Sequence, residues 1–230
     1  MKKIVIQEYT TKEPITMIGK EAGICWGGNT SDAQRNFNRG IECLNSEHGR
    51  TFEYPDVYMI IDGYSARTIR EWYTHIGGSP TRLQASTRYI DYKNFGYVIP
   101  PSIADAAYVV YTNAMDDISK AMQNLFEMSV PKEDVAMLLP LGMTTKIADK
   151  RNLRNLIEMS HQRLCNRTYW EYRQLFSEIC VALKGYSDEW KYIVDNFFKP
   201  KCQYMGECKE RNSCGYMKGK GNKNNDNSYR

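Results

Sequence analysis

The chain has 230 residues, 42% of them hydrophobic and 12% aromatic, enough for one large domain or two small ones. Its net charge of +4, much of it in the C-terminal tail, suits anionic small ligands as well as nucleic acid and singles out neither. No run approaches the ~20 apolar residues of a membrane helix. Met1-Lys2-Lys3 leads into a short β-like run rather than a secretory leader, so the expectation is a cytoplasmic protein whose seven cysteines are thiols or ligands, not disulfides.

In chain order, Lys3 to Tyr9 reads as a strand, and Ser31 to Asn45 as a helix after Gly27-Gly28. His48-Gly49-Arg50-Thr51-Phe52-Glu53 reads as a loop, and Val57 to Asp62 as a strand between Pro55 and Gly63. Ser65 then caps a helix on which Ile69, Trp72, Tyr73 and Ile76 recur at helical spacing, until Gly77, Gly78 and Pro80 open a loop. Phe95 to Ile99 is an expected strand ending at Pro100-Pro101. Ser102 is expected to cap a long helix to about Met128, with an apolar stripe through Val110, Ile118, Met122 and Phe126 for a core or subunit interface. A shorter helix starts at Pro131. Helices are then expected from Asn152, over Thr168–Lys184 ending at Gly185, and from Ser187 to Phe198. Beyond Pro200 the composition turns to Lys, Gly and Asn, and residues 218 to 230 are expected to be disordered.

The stretch from Ser65 to Tyr92 carries the clearest chemistry. Arg82 and Arg88 stand among Ser79, Thr81, Gln84, Ser86 and Thr87, a mixture suited to a phosphate and a planar hydrogen-bonding ring. The same residues also suit an ordinary polar surface loop. Cys25, without a histidine nearby in sequence, reads as a small hydrophobe rather than a nucleophile. Cys202, Cys208 and Cys214 recur every six residues, looser than zinc-ribbon pairs and with no histidine among them, and read as free thiols ahead of a metal or cluster site. No Walker or Rossmann glycine pattern is present.

The run Gln84-Ala85-Ser86-Thr87-Arg88-Tyr89, set after a helix ending in His75, resembles the signature of flavin-dependent thymidylate synthases. Ser86, Arg88, Tyr89 and His75 match. Thr74 and Ile76 stand where that family has two arginines, Leu83 where it has asparagine and Gln84 where it has glutamate. His48 and Glu53 keep the family's His-to-Glu spacing, with Thr51 or Arg50 as the middle group, and Cys25 falls where the family has a serine near the flavin. Downstream, Leu139-Pro140, Asn152-Leu153-Arg154, Arg163 and Trp170-Glu171-Tyr172-Arg173 follow in the family's order and spacing. Asn152, Leu156, Met159 and Arg163 fall on one helical face. Met137 takes the place of a phosphate-contacting arginine, for which Arg82 is the expected replacement.

The resemblance implies an α+β fold, a single domain of long helices around a small mixed or antiparallel sheet, over residues 1–198, followed by a tail over 199–230. It implies a homotetramer with shared active sites, FAD, NAD(P)H, methylenetetrahydrofolate and dUMP. Arg163 would be catalytic and touch the nucleotide together with Glu71, Thr74, Arg82, Gln84, Ser86, Thr87 and Arg88. The flavin would meet Cys25, His48, Arg50, Thr51, Glu53, His75, Ile76, Asn152, Arg154 and Glu158. Two other classes stay open. One is a relative that binds or modifies a pyrimidine nucleotide with altered or lost methylation activity. The other, favoured less, is a nucleic-acid-binding module suggested by the Lys-rich tail and the tyrosines.

Overall fold

The structure, a computed structural model, describes residues 3–217, so the tail expectation for 218 to 230 lies outside the described residues. The elements run β1 (Lys3–Ile6), α1 (Pro14–Cys25), α2 (Ala33–Asn45), β2 (Asp56–Ser65), α3 (Ala66–Trp72), β3 (Thr81–Gln84), α4 (Asp105–Glu127), α5 (Lys132–Val135), β4 (Thr144–Asn152), α6 (Leu153–Arg163), α7 (Trp170–Lys184), α8 (Asp188–Phe197) and α9 (Lys201–Met205). Short 3-10 turns occupy Gly49–Glu53 and Ala136–Leu138. The strands form one small antiparallel sheet in the order β1-β2-β4-β3, which gives the expected α+β architecture. Among the described residues no helix is long and apolar enough to cross a membrane.

The chain divides into two compact units. Of the described residues, unit 1 takes 3–5, Met59–Thr74 and Thr81–Asp149, and unit 2 takes Ile6–Tyr58, His75–Pro80 and 150–217. In unit 1, Phe95, Met115, Met122, Val135 and Met143 make a buried cluster, with Tyr97, Tyr111, Ile118 and Phe126 packed against it. The expected strand over Phe95–Ile99 shrinks to a bridge between Tyr97 and Met143. Thr144 N–H reaches Gly96 O at 2.7 Å and Val98 N–H reaches Gly142 O at 2.9 Å, after which Pro100 has no N–H to continue the ladder. Ser102 does not cap α4. The N-cap is Ala104, and the apolar stripe meets the core only through its later turns, leaving Tyr108, Val109 and Val110 exposed.

The helix after Ser65 is shorter than its apolar spacing predicts. Ser65 caps it as expected, accepting from Thr68 N–H, but it ends at Trp72. The last carbonyls are taken locally: Thr74 N–H and Oγ1 both donate to Glu71 O, at 3.1 and 2.7 Å, and Arg82 Nη1 takes Tyr73 O at 3.0 Å. His75 and Ile76 therefore lie beyond the helix, and Ile76 is 71% exposed instead of on its apolar face. The loop that follows contains a strand, β3, which the polar run Thr81-Arg82-Leu83-Gln84 did not signal.

Unit 2 holds a helix missed in sequence, α1. It has no side-chain cap of its own. Glu189 of α8 supplies one, accepting from Ile15 N–H at 2.6 Å, Thr16 N–H at 3.0 Å and Thr16 Oγ1 at 2.5 Å. α1 crosses α2 backbone to backbone, where a Cβ on Gly19 would meet Asn36 O at 1.7 Å and one on Gly40 would meet Ile15 O at 2.0 Å. At both glycines the nearest atoms are backbone, which cannot swing aside as a side chain can. Gly40→Ala is therefore expected to destabilise the protein by about 1–3 kcal/mol, the usual cost of overpacking, read as a lowered urea midpoint at unchanged slope. A midpoint equal to wild type rules out the close crossing.

Candidate active site

The candidate chemistry of unit 2 is built on α6. Asn152 is its N-cap, its Oδ1 accepting from Asn155 N–H at 2.9 Å, and Leu156 and Met159 are fully buried. That anchoring carries Arg163, the last residue of α6, to the ring of His75: Arg163 Nε donates to His75 Nε2 at 2.8 Å. The guanidinium lies 4.2 Å above the Tyr172 ring, and the His75 and Tyr172 rings meet edge to face at 6.1 Å. Burial, then the positive charges of Arg163 and Arg151, lower the His75 pKa from 6.5 to about 4. At neutral pH the imidazole is neutral, with the lone pair on Nε2 and its proton on Nδ1. The expected face of Asn152, Leu156, Met159 and Arg163 is present, and it points a cation at a neutral acceptor.

The segment 75–80 is held against α6 by its glycines. Gly78 has φ +71°, and a Cβ there would come within 2.4 Å of Asn152 Nδ2. Gly77 lies close to the side chains of Asn155 and Glu158. Asn152 and Glu158 are thus engaged with this turn and with the start of α6. Arg154 donates to Glu53 Oε1 at 2.6 Å and to Glu158 Oε1 at 3.3 Å, which ties three of the expected flavin residues together.

Two cavities in unit 2 gather the remaining members of that set. One of about 420 Å³ is lined by Cys25, Trp26, His48, Arg50 and Thr51, with Trp26 60% exposed. The other, of about 490 Å³, is lined by Gly49, Phe52, Arg154, Ile157, Glu158 and Tyr204 among others. Thr51 is turned inward on its own 3-10 turn, its Oγ1 donating to His48 O at 2.7 Å.

In unit 1 the expected nucleotide residues fall on α3, β3 and the turn after β3. Arg82 packs over the Tyr73 ring at 4.4 Å, and Gln84 Nε2 donates to Thr145 Oγ1 at 3.3 Å. Ser86 Oγ accepts from Arg88 N–H at 3.1 Å, and exposed Arg88 pairs with Glu133 at 3.0 Å. Thr87 is exposed beside them, while Glu71 and Thr74 close the end of α3.

Sequence reasoning missed Arg151 and gave Tyr172 no role of its own. Arg151, 1% exposed, donates from Nη1 to Asn155 Oδ1 at 2.6 Å and to Met159 Sδ at 2.8 Å. The available signal was period-two spacing: Thr145, Ile147, Asp149 and Arg151 all point inward along β4.

The sequence profile of the family described as "Thymidylate synthase complementing protein" matches residues 6–186. A flavin-dependent thymidylate synthase of Nitratidesulfovibrio vulgaris is 28% identical over 187 residues, 75% of this chain and 73% of that one. A flavin-dependent thymidylate synthase of Pyrococcus furiosus is also 28% identical, over 224 residues covering 92% of this chain and 91% of that one. In structure the chain is similar to a UMP/dUMP methylase, PolB, from Streptomyces cacaoi bound with 5-Br dUMP. The TM-score is 0.70 at 15% identity, covering 86% of this chain and 96% of that one, a likeness of fold.

The His75 shift has a sign that stability measurements read directly. The unfolded imidazole takes up its proton near pH 6.5 and the native one near about 4. Between those values only the unfolded state is protonated, so stability falls as pH is lowered from 6.5 toward 4 and this contribution then levels off. With the ring only partly buried, the loss is about 1–3 kcal/mol. His75→Gln is expected to lose less stability than wild type across that window in urea titrations. Parallel pH slopes for the two proteins contradict the assignment.

Proposed function

Because the chain belongs to the thymidylate synthase complementing protein family, we propose that it is a flavin-dependent thymidylate synthase that converts dUMP to dTMP. The methylene carbon of methylenetetrahydrofolate joins uracil C5, the C5 proton leaves, and two electrons from NAD(P)H complete the methyl group. Bound FAD supplies the two-electron relay between nicotinamide and methylene. The reaction needs no protein nucleophile. The protein's work is then to bind, orient and stabilise charge.

The observation that carries this reading is the fixed guanidinium of Arg163, oriented by a neutral imidazole at 2.8 Å and by the Tyr172 face at 4.2 Å. As C5 attacks the methylene carbon, N3 and the neighbouring carbonyl change their charge. A cation that stays protonated at any working pH stabilises negative charge there, though it is a poor base. Arg88 takes the nucleotide phosphate, leaving Glu133, an exposed partner whose ion pair is worth about 0–1 kcal/mol. Ser86, Thr87 and Arg82 assist. Residues of unit 2 fit a flavin nucleotide: Trp26 offers an exposed ring face, Arg50 and Arg154 offer cations, and His48 and Thr51 line the same walls. A homotetramer with shared active sites accords with the apolar side chains that α4 leaves exposed.

A second reading rests on the departures at Thr74, Ile76, Leu83 and Gln84. Gln84 is a neutral amide bonded to Thr145 where the family has a carboxylate. Such a site would accept a different pyrimidine nucleotide, or bind one without methylating it. Growth of a thymidine-requiring bacterium on this chain without added thymidine supports the first reading. Failure to grow, together with methylation of UMP by the purified protein, supports the second.

Two substitutions probe the roles. Arg88→Ala is expected to weaken dUMP binding by about 1.5–3 kcal/mol in calorimetric titration while FAD stays bound. Arg163→Ala is expected to slow single-turnover methylation by ~10²–10³ with all substrates saturating, and Arg163→Lys, which lacks the planar fork, to recover little. A wild-type rate in Arg163→Ala removes this arginine from the chemistry.

A further inference from the structure

The described part of the C-terminal segment after Pro200 is not a loose appendage. Its residues 201–217 fold back on the turn between α6 and α7. Asn166 Nδ2 donates to Cys214 Sγ at 3.8 Å, Arg167 donates to Asn212 O, and Tyr204 stacks on His161 with ring centroids 4.8 Å apart. Composition does not explain that order. The segment is rich in Lys, Glu and Gly, its one helix has five residues, and its one buried hydrophobic residue is Cys208. So short and polar a stretch cannot order itself by burying apolar surface.

What it does bring together is sulfur. Cys165, on the turn after α6, and Cys202, Cys208 and Cys214 all line one cavity of about 690 Å³ in unit 2. Arg167, Lys201 and Lys209 line the same cavity, with Glu207 and Glu210 also at its wall. All four thiols are free of disulfides.

We propose that Cys165, Cys202, Cys208 and Cys214 form a tetrathiolate site for Zn²⁺ that clamps the C-terminal segment onto the α6–α7 turn. Among the described residues no three His, Cys, Asp or Glu side chains are arranged to hold a metal ion as they stand, so the four thiols must draw together around it. Binding closes it: each thiol loses its proton, four protons are released, and the thiolates move to the ~2.3 Å Zn–S distance. No electron is transferred. The resulting double negative charge faces Arg167, Lys201 and Lys209. Four thiolates suit zinc or an iron–sulfur cluster. Exposed Cys214 favours zinc, which is redox-inert and needs no shielding from solvent. Arg163, the residue proposed for the methylation chemistry, lines the same cavity.

The test uses the full-length flavoprotein, purified from zinc-supplemented cells and dialysed, with metals measured by mass spectrometry. About one zinc per chain is expected, released in step with modification of four thiols. Replacing zinc with Co²⁺ is expected to give tetrahedral ligand-field bands to the red of flavin absorption. Cys202→Ser and Cys208→Ser are each expected to lose the metal, and Cys25→Ser to keep it. Because the metal content is read first on the wild-type chain, a variant that misfolds does not decide the outcome. Wild-type protein without stoichiometric metal after incubation with excess Zn²⁺ overturns the proposal, as do disulfides among the four cysteines. Iron with acid-labile sulfide in place of zinc overturns the zinc assignment.

Discussion

A buried guanidinium sets the geometry of the candidate site in unit 2. Arg151, at the end of β4, is almost wholly removed from water, and such a cation costs several kcal/mol unless its donors are engaged. Asn155 and Met159, one and two turns along α6, accept from it at 2.6 and 2.8 Å. Those bonds fix the rotation of α6 about its axis. With Leu156 and Met159 facing inward, Arg163 at the last turn has a single direction in which to project. The same helix start holds the 75–80 turn, because Gly78 brings its backbone against the Asn152 side chain.

That arrangement explains why the partner of Arg163 is a histidine. A carboxylate in its place would form an ion pair and neutralise the cation that the proposed chemistry uses. A neutral imidazole accepts one hydrogen bond, fixes the plane of the guanidinium and leaves the positive charge intact. Burial, and then two nearby arginines, keep it neutral, since protonating His75 would set a third positive charge beside Arg163 and Arg151. The Tyr172 face adds a cation–π contact of about 0.5–2 kcal/mol without opposing charge.

Unit 1 follows the same rule of paired buried polarity. Asp149 on β4 is buried and accepts from Trp72 Nε1 at 2.8 Å, which docks the end of α3. Thr145, also inward on β4, accepts from Gln84 and so ties β3 in place. Arg82 and Arg88 are carried on and after that short strand as half-buried and exposed cations. Both are available for an anion at small electrostatic cost.

The amino-acid sequence by itself determined the helices with strong apolar periodicity: α2, α6, α7 and α8 lie within a few residues of expectation, and Ser65 and Ser187 cap as read. It also determined the spacing of Arg163 from Asn152, because helical geometry is local. Only the tertiary structure decided the rest. β4 is invisible to hydrophobic alternation because Thr145, Asp149 and Arg151 occupy three of its inward positions; Gln84 and Trp72, far along the chain, engage the first two, and the following helix engages Arg151. α1 owes its N-terminal cap to Glu189, more than 170 residues away. The end of α3 was set by hydrogen bonds from Thr74 and Arg82 rather than by apolar spacing, and this released His75 to meet Arg163. Cys165 joined the three evenly spaced tail cysteines only when the chain folded back on itself, since a ligand separated by dozens of residues leaves no local period to read.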